Sequence, residues 1–501
     1  MQLEQDRAVG DFADLSVDAR RRSRNVIFAL GFATAGEGVF LGGVLPILPA
    51  IGRHYQIAPG EAFWINAVFL LAVGVTCPAL SRLGDIYGHR KLTLITLAIS
   101  VLGIALHVVA PNYAMFLAGR FLLGLCPAIT PLAIGVFRKS LPLPAARFGI
   151  GAIAAAMTAG HAIGPLFAGY VFSGTGSIQW VFASWIALLA PAFAIVAWLV
   201  PESPPPSRRP PMDWLGAALL GIGVAAVLFG FAYGPKAGWG AASVVVAFAA
   251  GLACLAGWYA YERRVAFPLV DLRMLGNREA RPYYLSSLLY GATYYGSQTT
   301  VVLYLTASYQ KWGFGFSASV LTLAWIMVPQ NVLNMLGALS VAAVARRFGG
   351  YRGAGVLGAA LQAIGFGGML AAGHTLWLFV VFAVMTGLGS GFMQPTLSGK
   401  VSEVCDESQR GISAGMFQTF KNIGGSMSSA LGSALFAVVL IDGTHVASKA
   451  AYMVAFSTCL GLSLIVLFVI GRATPGASKA TGARRDERGV RRAANALRDD
   501  A

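Results

Sequence analysis

Apolar runs of about 20 residues recur along this chain, and few sequence features restrict a fold more tightly. Fourteen are read here: 25–50, 62–81, 91–110, 113–136, 146–172, 179–200, 214–233, 239–260, 283–305, 317–340, 353–372, 375–396, 410–439 and 450–471. A helix of about 20 residues crosses a hydrocarbon core about 30 Å thick. Backbone groups in lipid must bond within their own segment, so the runs are expected to be helices. Only 12% of the 501 residues are charged, against roughly 25% in a soluble domain. The fold class expected is an all-α polytopic membrane protein with 14 transmembrane helices. The polar residues before Arg24 and the length of the run after it fit a first membrane helix better than a cleavable leader.

The net charge of +16 would suit a nucleic-acid binder if it formed one surface, but it does not. With the N-terminus placed in the cytoplasm, 31 of the 37 Lys and Arg residues fall in cytoplasmic segments, and only Arg53, Lys236, Lys311 and Lys449 fall outside. That asymmetry is the positive-inside pattern of a membrane protein with both termini in the cytoplasm; with the low lysine and high alanine, glycine and arginine content, the location expected is a bacterial cytoplasmic (inner) membrane. No nucleic-acid partner is expected. The five cysteines have neither paired nor metal-ligand spacing. No cofactor or metal is expected, and without a phosphate-binding loop or a catalytic cluster the chain does not read as an ATP-driven pump or an enzyme.

The organisation expected is a cytoplasmic tail (1–24), a six-helix bundle (25–200), a proline-rich linker (201–213), a two-helix insert (214–260), a charged connection (261–282), a second six-helix bundle (283–471) and a disordered basic tail (472–501). Two packed halves with a substrate path between them are a common transporter plan. The basic stretches Arg20 to Arg24 and Arg484 to Arg498 either meet anionic lipid or are simply solvated.

Three stretches carry motif information. In "SRLGDIYGHRK" (81–91), Asp85 is expected in a polar turn with Gly84 and Gly88, close to Arg90. "GRFLLG" (119–124) puts Arg120 at membrane depth, where a charge needs a partner or a wet cavity. "GAIAAAMTAGHAIGPLFAG" (151–169) spaces Gly151, Gly160, Gly164 and Gly169 so that another helix can approach closely. Pro165 cannot donate to the His161 carbonyl, so a bend is expected near 161–165. Each stretch also has a plainer reading, as a charged loop, a buried polar network or tight helix packing.

In order and spacing these stretches resemble the signatures of the major facilitator superfamily. The third is similar to the "GxxxxxxxxGxxxGPxxGG" motif of its proton-coupled exporters. With the "MDWLGAALLG" opening of the insert (212–221), the chain resembles the fourteen-helix drug:proton antiporters. The resemblance implies the major facilitator fold, a monomer, and roles in the conformational switch for Asp85, Gly88, Arg90, Arg120, Gly160, Gly164 and Pro165. Ser81, Ile86, His89, Leu123, Ala168 and Arg346 depart from the family pattern and leave its usual substrates open.

Glu37, in "GFATAGEGVFLGG" (31–43), falls near the middle of the first helix. A carboxyl group withdrawn from water holds its proton more readily, so one whose surroundings alternate between wet and dry can load and release a proton. Glu37 is expected to couple protons and to face a cationic substrate; the family resemblance implies the same. His161 is a second candidate for protons, since imidazole titrates near neutral pH. Lys421 (in 415–434) either pairs across the central space, holds an anionic group, or extends toward the cytoplasm; with Glu37 it would bracket a zwitterion. A mixed aromatic and amide lining is expected from Trp64, Asn66, Tyr294, Tyr295, Gln298, Trp325, Gln330, Asn331 and Asn334. Such a lining suits bulky amphipathic molecules. The function expected is proton-coupled antiport of amphipathic organic compounds by alternating access. A dedicated exporter of an endogenous metabolite, peptide, siderophore or lipid, a proton-coupled importer, and a non-transporting membrane partner are the alternatives. The partners expected are protons, a small organic substrate and membrane lipids.

Overall fold

The computed structural model describes residues 16–202, 212–265, 268, 279–404, 410–441, 444 and 446–473. The first fifteen residues, most of the proline-rich linker, part of the charged connection and the basic C-terminal tail lie outside the described residues, and so do the expectations attached to them.

The described residues form helices and no strand. The long helices are α1 (Val17–His54), α2 (Trp64–Tyr87), α3 (His89–Val109), α4 (Tyr113–Leu123, continuing as Ile129–Ser140), α5 (Leu143–Thr175), α6 (Ile178–Leu199), α7 (Trp214–Ala237), α8 (Ala242–Glu262), α9 (Arg281–Thr306), α10 (Val320–Arg347), α11 (Tyr351–Ala371), α12 (Leu376–Val404), α13 (Arg410–Val438) and α14 (Lys449–Arg472). Twelve are long and apolar enough to cross a membrane. By that measure the expected fourteen spans are not reached: α9 and α13 fall short. The reason is chemical, since α9 reads RPYYLSSLLYGATYYGSQTTVVLYLT and α13 carries Lys421, Asn422 and a run of serines. Some of their hydroxyls are satisfied locally, as where Thr293 and Thr300 donate to carbonyls one turn back at 2.9 Å each, while the buried hydroxyls of Ser286 and Ser429 have no hydrogen-bond partner.

Three boundaries differ from the sequence expectation. α1 begins at Val17 rather than near residue 25, with the Ser16 side chain accepting from the Ala19 N–H. α2 runs on to Tyr87, so Asp85 occupies its last turn rather than a loop. Only Gly88, with φ 101°, makes the turn into α3. α4 is interrupted by a 3-10 segment at Cys126–Ala128, where Pro127 has no N–H to continue the α-helical ladder. α5, by contrast, stays helical through Pro165.

Helices without bulky side chains at their crossing can bring backbones together. α1 and α5 do this through four glycines: side chains at Gly38 and Gly42 would collide with the Met157 and His161 carbonyls, and side chains at Gly160 and Gly164 with the Ala35 and Val39 carbonyls. The second half repeats the device between α9 and α13. A side chain at Gly291 would strike the Lys421 carbonyl, and one at Gly424 would strike the Leu288 carbonyl. The offsets agree: Gly38 and Ala35 correspond to Gly291 and Leu288, while Gly160 and Met157 correspond to Gly424 and Lys421. In that register Glu37 corresponds to Tyr290 and Lys421 to Met157. The two halves share a scaffold but carry their charges on non-equivalent helices.

The halves meet chiefly near the face opposite the ends of α1 and α14 that carry residues 17 and 472. α2 packs along α13 and α5 along α10. The insert attaches asymmetrically: α7 packs Leu220, Val224 and Leu228 over the α2–α13 seam, against Trp64, Leu71, Ile423 and Ala430. α8 packs on α7 and leaves Val246 and Leu252 exposed on its outer side.

Because the α1–α5 crossing has no room for a Cβ, Gly160→Val is expected to lower stability by about 1–3 kcal/mol or more. Gly151→Ala, where nothing lies within 4 Å, is expected to be neutral or slightly stabilising through its effect on the unfolded chain. Thermal unfolding of the two purified variants in detergent checks the contrast.

Candidate functional site

Glu37 is fully buried in α1. Its Oε2 accepts a hydrogen bond from Thr130 Oγ1 at 3.4 Å, and Oε1 has no hydrogen-bond partner. Thr130 opens the second segment of α4, so the interruption at Pro127 sets where the hydroxyl points; the same hydroxyl is 3.8 Å from Met157 Sδ. Of the glycines flanking it, Gly38 packs α1 directly on the Met157 carbonyl of α5, while Gly36 faces Leu188 and Leu189 of α6.

Lys421 lies across the molecule on α13 with 5% of its surface exposed, which removes the reading in which it extends to solvent. Its ammonium lies over the Tyr295 ring at 5.8 Å and the Phe417 ring at 5.7 Å from the centroids. No ion pair to it is found among the described residues. The Cys77 thiol of α2 lies within electrostatic reach of both Glu37 and Lys421, and His161 within reach of Lys421. Four elements from two halves therefore converge on one central region.

The amides and aromatics divide into three groups. Trp64 Nε1 donates to Ser433 Oγ at 2.9 Å, Asn66 Nδ2 to Thr299 Oγ1 at 2.9 Å, and Asn331 Nδ2 to the His161 carbonyl at 3.4 Å. Each of these bonds joins the two halves, as does Ser426 Oγ to the Ala67 carbonyl at 3.0 Å. The His161 carbonyl is the one that Pro165 leaves without its helical donor, so an amide of the opposite half takes the place of the missing N–H. Tyr294, Tyr295 and Gln298 lie together beside Lys421, with Tyr295 donating to Asn422 Oδ1 at 3.5 Å and Gln298 hydrogen-bonded to Tyr294. Gln330 turns toward Thr386 of α12 at 3.5 Å, and the Asn334 carbonyl abuts Gly391 of the same helix. Trp325 is half exposed and stands edge-on to Tyr170.

The loop motif forms a separate ionic cluster at the face carrying the chain ends. Asp85 Oδ1 is 3.1 Å from Lys139 Nζ and 3.4 Å from His89 Nε2. Arg90 donates to the Ala197 carbonyl at 2.6 Å and lies 3.9 Å from Glu202. Any side chain at Gly88 would meet the Glu202 carboxylate. These contacts tie α2 and α3 to α4 and α6 within one half. Arg120 is separate again: buried, it donates from Nε to the Ile65 carbonyl at 3.2 Å and stacks over Phe69 at 5.0 Å, with one guanidinium nitrogen lacking a hydrogen-bond partner.

Sequence reasoning missed Thr130, Cys77 and His107. His107 is buried against Phe116 and Phe182 and is hydrogen-bonded to the Gly103 carbonyl. Threonine and cysteine in an apolar run give no signal of their own, but the Gly38 and Gly42 spacing beside Glu37 was readable as a helix-packing face.

The Major Facilitator Superfamily profile matches residues 27–428 and 283–501. The chain belongs to the major facilitator superfamily. It is therefore a multi-pass membrane transporter of small organic substrates and not an enzyme. A probable actinorhodin transporter of Streptomyces coelicolor is 28% identical over 392 residues, spanning 74% of this chain and 65% of that protein. The tetracenomycin C resistance and export protein of Streptomyces glaucescens is 26% identical, spanning 78% and 71%. The cephamycin export protein CmcT of Amycolatopsis lactamdurans is 27% identical, spanning 85% and 89%. Among solved structures, the POT family transporter PepTSo superposes with TM-score 0.65 at 12% identity, covering 90% of this chain and 98% of that one. The human organic anion transporter MFSD10 gives 0.61 at 16%, covering 89% and 99%. At those identities the likeness is one of fold.

Asn331→Leu leaves the His161 carbonyl without its cross-half donor, a loss of about 1 kcal/mol. The conformer described here is expected to lose population about fivefold relative to its alternatives. Spin labels at Ser173 and Gln310, read as a distance distribution between the halves, check the shift.

Proposed function

We propose that this transporter is a secondary exporter of the bacterial cytoplasmic membrane, exchanging an amphipathic organic compound for one or more protons by alternating access. The observation that carries the reading is Glu37: a fully buried carboxyl at the α1–α5 crossing, one oxygen on Thr130 and the other without a partner. A buried carboxylate with an unfilled acceptor is costly unless it is neutralised by a proton or met by a cation. Proton and cationic cargo are then alternatives at one group, which is the minimal requirement for exchange. The relatives named as export proteins for tetracenomycin C and cephamycin support the direction.

In this reading α9 and α13 complete fourteen spans, and the chain ends face the cytoplasm, where the lysines and arginines gather. The cross-half bonds of Trp64, Asn66, Asn331 and Ser426 then close the outer side. Asp85, Gly88 and Arg90 with Lys139 and Glu202 brace the inner ends of α2 and α3, while Gly160, Gly164 and Pro165 let α5 move against α1. Arg120 holds the outer half of α4 to α2, and His161 is a secondary proton group beside Lys421. Tyr294, Tyr295 and Gln298 line the cargo path, with Trp325, Gln330 and Asn334 reached in other conformers. The working unit is a monomer in contact with membrane lipids.

A second reading, dedicated export of one endogenous metabolite, is favoured by the same relatives, each named for a single compound or its pathway. Substrate breadth separates the two.

The test is ethidium efflux from loaded, de-energised cells upon re-energising. Wild-type efflux abolished by a protonophore is expected, with Glu37→Gln reducing the rate at least about a hundredfold. Protonophore-sensitive efflux that survives Glu37→Gln would overturn the assignment of Glu37. Ethidium retention by well-folded wild type, with export of a narrow set of metabolites instead, would favour the second reading.

A further inference from the structure

A lysine held away from water normally has a carboxylate beside it. Lys421 is 95% buried and has none among the described residues. Two aromatic faces recover part of the lost hydration, but an ammonium has three donors and rings supply no lone pair along them. The residue is also not a helix-packing convenience. Its counterpart in the first half is Met157, which occupies the same place in the glycine-mediated crossing, so the scaffold accepts an uncharged side chain there. The charge faces the other half, since Cys77 of α2 and His161 of α5 both feel it.

We infer that Lys421 is the specificity-determining anion receptor of the central site, and that the cargo is an aromatic amphipathic compound carrying both an acidic group and a positive group. The acidic group sits on the Lys421 ammonium, the ring system lies against Tyr295 and Phe417, and the positive group replaces the proton at Glu37. A purely anionic cargo does not satisfy the second requirement, because a negative charge near Glu37 favours the bound proton instead of displacing it. A purely cationic cargo, such as ethidium, meets Glu37 alone, leaves Lys421 uncompensated and is carried less well than one bearing both groups. This assignment rests on the exporter reading above and narrows its substrate class.

The test uses two dyes that share a xanthene scaffold and differ in one charge: rhodamine B, a zwitterion at neutral pH, and its ethyl ester, a cation. Binding is measured by fluorescence polarisation to the purified full chain in nanodiscs. Wild type is expected to bind rhodamine B about tenfold more tightly than the ester. Lys421→Met is expected to erase that ratio by weakening rhodamine B while leaving the ester equal or improved. Lys421→Arg is expected to retain most of it. Binding of the ester by Lys421→Met serves as the control for folding. Equal affinity of the two dyes in wild type, no binding of either, or an unchanged ratio in Lys421→Met would each overturn the inference. Proton-driven efflux of both dyes from proteoliposomes is measured alongside. Efflux without charge selection would leave the exporter standing and sink the role of Lys421, while charge selection without proton-driven efflux would do the reverse.

Discussion

The contact on which this molecule depends is backbone against backbone, where α1 crosses α5 with glycines on both sides. In lipid there is no hydrophobic gain from bringing two apolar helices together, so the gain must come from dispersion and dipole contacts at short range. Four glycines provide that closeness. They also bear on where chemistry sits: Glu37 adjoins Gly38 of the crossing and is fully buried, with its carboxyl on Thr130 of α4.

The repeat of the crossing between α9 and α13 gives the second half the same mechanical element without the same charge. Tyr290 stands where Glu37 does, and Lys421 where Met157 does. Duplicated architecture with exchanged charges puts an acid on the first-half helix and a base on the second-half helix. Among the described residues neither charge has an opposite partner in its own half.

Much of this was legible in the sequence. The length and spacing of apolar runs located the long helices, because lipid leaves the backbone no alternative, and Gly160 and Gly164 announced a close approach. What the sequence did not reveal was the partner. That α1 is the helix against α5, and that Gly38 and Gly42 complete the crossing, depends on which faces meet in three dimensions. Asp85 was misplaced into a loop because a carboxylate beside two glycines resembles a turn; Lys139 and His89, distant or unremarkable in the sequence, hold it in a helix. Trp64, Asn66 and Asn331 read as cavity lining because amides and aromatics are chemically fit for it. In this conformer their hydrogen bonds run instead to the opposite half. A sequence alone does not distinguish a residue that lines a cavity from one that bonds to the other bundle, because the same side-chain chemistry serves both.

The nature of those cross-half bonds limits how the protein can switch. All four are neutral, joining amide, indole, hydroxyl and carbonyl groups. Each contributes about 0.5–1.5 kcal/mol net and can be exchanged for water when the seam opens. Breaking a buried ion pair there would instead cost about 3–5 kcal/mol for the charge left behind. The ionic contacts of Asp85 and Arg90 lie at the other face and within one half, where they stiffen a moving body without opposing its motion. The ionic cluster and the neutral cross-half bonds are therefore kept apart. A seam held by neutral bonds of that size is shifted by interactions worth a few kcal/mol.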